Sequence, residues 1–315
     1  MNESPVGRLA PSPTGLLHLG HARSFLLAWW SARSRAGRVV LRIEDLDRER
    51  CRESYVDACM RDLEWLGMDW DGPLLRQSAD LEPYEAACRT LVAAGEAYPC
   101  VCTRAQIQAA GAPHEGETEQ RYPGTCSGRW STLAAACSAT GRDACLRVRA
   151  PAGPVRVLDR LLGPRSFDVG AEVGDFTVRR RDGVFAYQLA VVVDDARQGV
   201  TEVVRETDLL SSAARQQHLF ELLGWPAPEW FHVPLVEDAG GLRLAKRRGS
   251  SSLQELRTNG VDPRRVVAWA AASAGQECDA FATAAEVAVG FDAGRVPMQP
   301  VLLGETEFET PVNEN

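Results

Sequence analysis

No stretch of this 315-residue chain approaches the roughly 20 apolar residues of a membrane-crossing helix. The first residues show no charged-then-apolar leader, so a cytoplasmic protein is expected. Positive charge is not in excess either. Lys and Arg number 35 against 43 Asp and Glu, a formal net charge of −8, which disfavours nonspecific nucleic-acid binding. A local basic patch remains open, because phosphate contacts answer to the local field. Nine cysteines, an odd number without a secretion signal, argue for reduced thiols and against a disulfide framework. Cys51, Cys59 and Cys88 fall within helical patterns among apolar neighbours. No internal repeat is present. What remains is 45% hydrophobic and 25% charged, the balance of a globular enzyme with room for one large or two modest domains.

The pattern over His21–Arg35 predicts a helix, with Gly37 as its stop, and the β-branched run Val39–Ile43 predicts a buried strand. Strand, helix and strand in this order, with ligand chemistry at the loops, imply a parallel α/β sheet. Two more helices are predicted over Ser54–Leu66 and Leu81–Ala94, each ended by a glycine (Gly67, Gly95). From about Tyr98 to Thr140 cysteine, glycine and proline rise and periodicity fades, as in an insertion into the α/β domain. Strand patterns resume at Cys145–Arg149 and Phe176–Arg181. Asp182 and Gly183 then turn a hairpin into a strand over Phe185–Val193, with Phe185, Tyr187 and Leu189 on one face. A helix is predicted over Ser211–Leu223 and another over Pro263–Ala274, before a polar, acidic tail from Gly304.

The densest chemistry lies in the fourteen residues Arg8-Leu-Ala-Pro-Ser-Pro-Thr-Gly-Leu-Leu-His-Leu-Gly-His21. A Pro/Ser/Gly loop feeds a helix start, where free N–H groups favour phosphate, and His18 and His21 can donate to oxygens as charge develops. A plain Pro/Gly turn before an ordinary helix is the alternative. Glu44, Asp45 and Asp47 follow a strand end, where open α/β sheets bind ligands; a solvated acidic turn capping the next helix explains them as well. Asp194 and Asp195 suit metal ligation or bonding of the Arg205–Asp208 loop, and no role is assigned to them. Cys100, Cys102 and Cys126 can place three thiolates on one metal ion, with Cys137, Cys145 or His114 as further donors.

Pro11-Ser-Pro-Thr-Gly-Leu-Leu-His-Leu-Gly-His21 resembles the "HIGH" region of class I aminoacyl-tRNA synthetases, and the leading Arg8-Leu-Ala-Pro-Ser12 narrows the likeness to the glutamyl/glutaminyl branch. The likeness extends through Arg42-Ile-Glu-Asp45, Arg179–Asp195 and Gln198–Arg205. It implies an α/β fold: a Rossmann-like parallel sheet with an inserted zinc-binding, acceptor-type subdomain and a short helical C-terminal region. Implied roles follow position by position. Arg8, Leu9, Ala10, Pro11, Ser12, Glu44, Tyr187 and Arg205 would bind L-glutamate, Glu44 through its amino group. His18, Gly20, His21 and Lys246 would bind ATP, with His18, His21 and Lys246 catalytic and Mg²⁺ accompanying the nucleotide. A buried Arg205 needs a carboxylate partner, which substrate glutamate supplies.

Leu242-Arg-Leu-Ala-Lys-Arg-Arg248 takes the place of the mobile "KMSKS" loop, with Arg243 for the first lysine and Ala245 for the serine; a solvated basic loop is the alternative. The likeness also implies one structural Zn²⁺ per chain on Cys100, Cys102, Tyr122 and Cys126; a vestigial, metal-free insertion is the alternative. The expected divisions are residues 1–97 and 176–258 for the two halves of the catalytic domain, 98–175 for the insertion and 259–315 for the C-terminal region. Only about fifty residues follow Gly260, which leaves no anticodon-binding domain. A stand-alone catalytic domain of this kind implies tRNA-independent glutamate activation, then transfer to queuosine at the wobble position of tRNA(Asp), by a monomer with no membrane partner. A truncated conventional glutamyl-tRNA synthetase and a non-catalytic glutamate- or ATP-binding paralogue are the alternatives. Arg179–Arg181 and Arg247–Arg248 are candidate phosphate contacts.

Overall fold

The computed structural model describes residues 4–110, 121–238, 240, 241, 244, 252–304 and 308. Strands β1 (Val6–Leu9), β2 (Arg38–Ile43) and β3 (Leu75–Arg76) form one parallel sheet in that order. A second sheet has the order β7 (Gly163–Phe167), β6 (Val155–Asp159), β10 (Glu229–Val233), β9 (Glu202–Glu206), parallel except for the β6–β7 hairpin. The two sheets adjoin at β1 and β9, where the Thr201 N–H donates to the Val6 carbonyl at 2.9 Å and Arg8 donates to the Val204 carbonyl at 2.8 Å. Strands β4 (Ala97–Cys100), β5 (Cys145–Val148) and β8 (Phe176–Arg179) make a separate antiparallel sheet, and β11 (Val236–Asp238) pairs with β12 (Val301–Leu303).

Both faces of the parallel strands are covered. One carries α1 (Leu19–Arg33), α2 (Glu53–Trp65), α9 (Leu253–Thr258), α10 (Pro263–Ser273) and α11 (Ala284–Gly290), packed on Val39, Leu41, Val204 and Phe231. The other carries α3 (Glu82–Ala93), α7 (Tyr187–Gln198) and α8 (Leu210–Leu223), packed on Val40, Val203 and Trp230. Short helices α4 (Arg104–Ala110), α5 (Leu133–Thr140) and α6 (Val169–Glu172) lie around the antiparallel sheet, with a small core of their own at Tyr98, Cys100, Tyr122, Cys126 and Ala136. Because side chains alternate along a strand, Arg8, Arg42, Arg205 and His232 share the α3/α7/α8 side. The polar residues of that face sit at the carboxyl ends of their strands. No described helix is long and apolar enough to cross a membrane.

The α/β class with a parallel sheet agrees with the expectation, and several elements differ from it. Phe185–Val193 is not a strand: Asp182 and Gly183 do turn the chain, with Arg180 N–H on the Val184 carbonyl, but only Phe185 bridges back to Arg179 before α7 begins at Tyr187. Leu189–Asp195 are all buried, so the run Val191–Val193 lacks a polar face, and a buried helix and a buried strand look alike in such a run. Helix α1 starts at Leu19, two residues early, because His18 caps it. Cys51 precedes α2 instead of lying within it. Gly37 does not end α1 by a left-handed turn; Ala36 takes that conformation, at φ 53°. Gly37 is there because a Cβ would lie 2.4 Å from the Pro5 carbonyl oxygen and 2.8 Å from that of Ala32. Gly37→Ala should therefore lower unfolding stability in urea by about 1–3 kcal/mol. Gly290→Ala, where a Cβ meets nothing within 4 Å, should change it by less than about 0.5 kcal/mol.

Candidate active site

The start of α1 is capped by its own histidines. His18 Nδ1 accepts the Gly20 N–H at 3.1 Å, and His21 Nδ1 accepts the His18 N–H at 3.2 Å. This reciprocal pair fills the role of a capping box and stacks the two rings with centroids 3.7 Å apart. With both Nδ1 atoms accepting, each neutral ring carries its proton on Nε2. Gly20 fits because a Cβ there would lie 3.0 Å from the His18 ring and 3.3 Å from Glu206 Oε1. Leu17 and His18 also receive the start of α9: Ser252 bridges to His18, and the Leu253 N–H donates to the Leu17 carbonyl at 2.8 Å. Lys246 itself lies outside the described residues, as do Arg243, Ala245, Arg247 and Arg248.

A cavity of about 430 Å³ opens beside this helix start, walled by Arg8, His21, Glu44, Tyr187, Arg205 and Glu206 with the Ala10–Ser12 backbone turn. Leu9 is not among its walls; it is buried in the α1-side core. Tyr187 is 37% exposed and begins α7 at the rim of this cavity, a placement its helix start provides without any strand. Arg8 is 6% exposed, and its nearest carboxylate oxygen, Asp195 Oδ1, is 3.9 Å away. Burial drives the Arg8 guanidinium below its ordinary pKa; Asp195 works against this, and the neighbouring Arg42 and Arg205 add to it. Arg205 is 5% exposed and donates to three neutral acceptors: His232 Nε2 at 3.0 Å, Gln216 Oε1 at 2.8 Å and the Leu209 carbonyl at 3.2 Å. Glu44 accepts from the Ser12 hydroxyl at 3.1 Å and faces Arg42 Nε at 3.3 Å. Its burial raises its pKa by more than Arg42 and Arg8 lower it.

Arg42 is the opposite kind of cation. It is fully buried, with Nη1 on Asp195 at 2.7 Å and Gln198 at 3.1 Å. Burial opposes its charge, but Asp195, Glu44 and Asp194 outweigh that and raise its pKa. Asp194 and Asp195 do not bond the Arg205–Asp208 loop. Asp194 accepts from Gln77 at 2.7 Å and from Tyr84 at 2.9 Å, and Asp195 is committed to Arg42. Asp45 and Asp47 do not cap α2 either. Asp45 takes the Ser78 N–H and hydroxyl and Arg76, and Asp47 pairs with Arg180 at 3.2 Å.

About the small antiparallel sheet, the Cys100, Cys102 and Cys126 sulfurs all lie within 4.8 Å of one another. The Tyr122 hydroxyl is 3.3 Å from the Cys100 sulfur and 3.7 Å from that of Cys102, and it accepts the Cys126 N–H at 2.9 Å. Three soft donors and one phenol oxygen around a common point suit a tetrahedral metal such as zinc. Of the other candidates, Cys145 turns its thiol to the Cys100 carbonyl at 3.3 Å, Cys137 is not in the cluster, and His114 lies outside the described residues.

Residues 6–291 match the family described as tRNA synthetases class I (E and Q), catalytic domain. The chain belongs to this family. As a class I aminoacyl-tRNA synthetase it is a ligase. It is 44% identical over 307 residues to the "Glutamyl-Q tRNA(Asp) synthetase" of Nitratidesulfovibrio vulgaris, covering 94% of each chain. It is 47% identical over 269 residues to the protein so named from Deinococcus radiodurans, covering 84% of this chain and 86% of that one. In fold it is similar to the glutamate-tRNA synthetase of Elizabethkingia anophelis, with a TM-score of 0.82 at 24% identity, covering 97% of this chain and 69% of that one.

Several groups of this synthetase that hold the cavity walls have no counterpart in the sequence expectation: Arg42, Asp159, Gln188, Gln216 and His232. Arg42 and His232 were within reach. Each follows a core residue by two positions (Val40, Trp230) near a strand end, so alternation alone turns it inward. Arg42→Met should lower stability by roughly 3–5 kcal/mol in urea unfolding, because it strands Asp195 without its cation. An unchanged midpoint and slope would contradict this.

Proposed function

We propose that the chain activates L-glutamate with ATP without needing tRNA, then transfers glutamate to queuosine at the wobble position of tRNA(Asp). The observation that carries the first step is the charge balance of the cavity. Two buried guanidiniums, Arg8 and Arg205, lie in each other's field, and among the described residues neither has a carboxylate oxygen within hydrogen-bond distance, while Glu44, which shares the cavity wall with the buried Glu206, is pressed toward its neutral form. A ligand with a side-chain carboxylate for the arginines and an ammonium for Glu44 relieves both. Glutamine would leave the guanidiniums uncompensated, a costly state in a buried site. Ala10, Pro11 and Ser12 border the ligand, and Tyr187 closes it at the rim. Leu9 contributes only packing behind Arg8.

The α-carboxylate is then free to attack the α-phosphorus of ATP, forming the acyl–phosphate bond as pyrophosphate leaves; Mg²⁺ bound with ATP would offset the phosphate charge. His18 and His21 present Nε2–H donors at the start of α1, and Gly20 lets the backbone come close, an arrangement suited to charge building on phosphate oxygens. Lys246 belongs to the stretch between Leu244 and Ser252. The bridge from Ser252 to His18 supports a role for that lysine on the phosphates. Catalysis of this kind is positioning and charge stabilisation, and needs no protein nucleophile. The acceptor reading rests on the relatives' names. It carries with it a cytoplasmic monomer whose catalytic halves are 1–97 and 176–258, with 98–175 inserted and 259–315 a short helical C-terminal region. Cys100, Cys102, Cys126 and Tyr122 fit zinc, which would brace the insertion around its small core and take no part in the chemistry.

Purified protein should exchange pyrophosphate into ATP with glutamate and no tRNA, and Arg205→Met should cut this by roughly 100-fold. It should charge queuosine-containing tRNA(Asp) and leave tRNA(Glu) uncharged. Charging of tRNA(Glu) would identify a conventional synthetase, and absence of exchange a binding paralogue. Elemental analysis should find one zinc per chain, and well below one in Cys100→Ser. Full zinc in that variant would overturn the ligand set.

A further inference from the structure

Arg205 is buried as deeply as the groups around it, and among the described residues none of its hydrogen-bond partners is an anion. A carboxylate nevertheless stands one residue further on. In the parallel register, Arg205 of β9 lies opposite His232 of β10, and β10 meets β6 where Trp230 lies opposite Asp159. His232 is thus held between the two charges: its ring nitrogen Nδ1 is 2.6 Å from Asp159 Oδ2, and its Nε2 accepts from Arg205 Nε at 3.0 Å. Asp159 has no freedom to turn. Oδ2 also accepts the His232 N–H at 3.0 Å, and Oδ1 accepts the N–H groups of Leu161 at 3.0 Å and Leu162 at 2.8 Å. A carboxylate so saturated accepts from Nδ1–H, which fixes the tautomer and leaves Nε2 a bare lone pair facing Arg205.

We propose that His232, pinned by Asp159, is a positioning residue for glutamate recognition: it orients the Arg205 guanidinium through a neutral acceptor and so leaves its charge for the ligand's carboxylate. The inference rests on the assignment of Arg205 to the glutamate site. Its logic is a comparison of acceptors. A carboxylate in place of the imidazole would orient Arg205 equally well and neutralise it, as Asp195 neutralises Arg42. An apolar residue would leave the guanidinium buried, uncompensated and free to rotate. The imidazole satisfies Nε, Gln216 satisfies Nη1 and the Leu209 carbonyl satisfies Nη2, which uses three of the five N–H donors of the fork and leaves two for a ligand. Gln216 is itself oriented by donating to Gln188 Oε1 at 2.9 Å, so neutral amides continue the pattern on the other side. Burial outweighs Asp159 in lowering the pKa of His232, in keeping with a ring that stays neutral beside two guanidiniums.

The test is steady-state pyrophosphate exchange on wild type, His232→Leu, His232→Gln and Asp159→Asn, with thermal unfolding of each. His232→Leu should raise the KM for glutamate about tenfold or more and leave the KM for ATP unchanged. His232→Gln, whose side-chain oxygen can accept from Nε, should recover most of the loss. Asp159→Asn, whose amide would turn the ring proton toward Arg205, should raise the glutamate KM alone. That variant decides the matter if His232→Leu does not fold. A glutamate KM equal to wild type in His232→Leu or Asp159→Asn overturns the inference and leaves the functional reading standing. Equal rises in both KM values, unrelieved in His232→Gln, overturn it as well, since they signal a structural role. Absence of exchange by wild type overturns the functional reading, and this inference with it.

Discussion

A guanidinium taken out of water loses solvation that only an anion or a full set of acceptors can replace. Among the described residues Arg205 has acceptors and no anion, and Arg8 has one backbone acceptor and a carboxylate only at 3.9 Å. Much of the architecture follows from holding these two charges in place without cancelling them. The parallel strands β1, β9 and β10 deliver Arg8, Arg205 and His232 to one side of the sheet, and α7 and α8 close over them. Arg42, two residues before Glu44 on β2, shows what happens when the same chemistry is settled internally: Asp195 meets it at 2.7 Å and the pair becomes part of the core. Three buried arginines on one side of the two adjoining sheets thus divide into one that is paired within the core and two that the proposed function assigns to the ligand.

The phosphate side of the cavity depends on a different economy of hydrogen bonds. Four N–H groups at the start of α1 lack helical partners. His18 and His21 satisfy two of them through Nδ1, which leaves the proton of each neutral ring on Nε2. One pair of side chains starts the helix, which explains why the loop before it needs no acidic cap, and under the proposed function the same pair supplies donors for anionic oxygen. The same helix start receives Ser252 and Leu253, which bridge to His18 and bond Leu17.

What could be read from the sequence was whatever is local or carried by a long motif. The helix start, the strand Val39–Ile43, Glu44 past its end, and the triad Cys100, Cys102 and Cys126 all belong to that class. Their geometry brings Arg8, Glu44, Tyr187 and Arg205 to one cavity and Tyr122 to the thiols. What escaped depends on distant partners. Asp159 and His232 are 73 positions apart, and nothing in either segment announces the other. The run Phe185–Val193 reads as a strand because its valines are β-branched, yet Leu189–Val193 are all buried within α7, and packing against α3, α8 and the sheet overrides that preference. Gly37 looks like a left-handed stop and is a close-packing glycine instead, a distinction that only the position of Pro5 makes.

The central claim is electrostatic: two buried guanidiniums short of carboxylates select a ligand whose side chain is an anion. Calorimetric titration of the protein with L-glutamate and with L-glutamine, in the absence of ATP and tRNA, tests it most directly. The two ligands differ by one carboxylate oxygen exchanged for an NH2 group and are nearly the same in shape, so the difference in affinity isolates the charge. The account predicts that glutamate binds at least about tenfold more tightly than glutamine. Equal affinities, or a preference for glutamine, would contradict it.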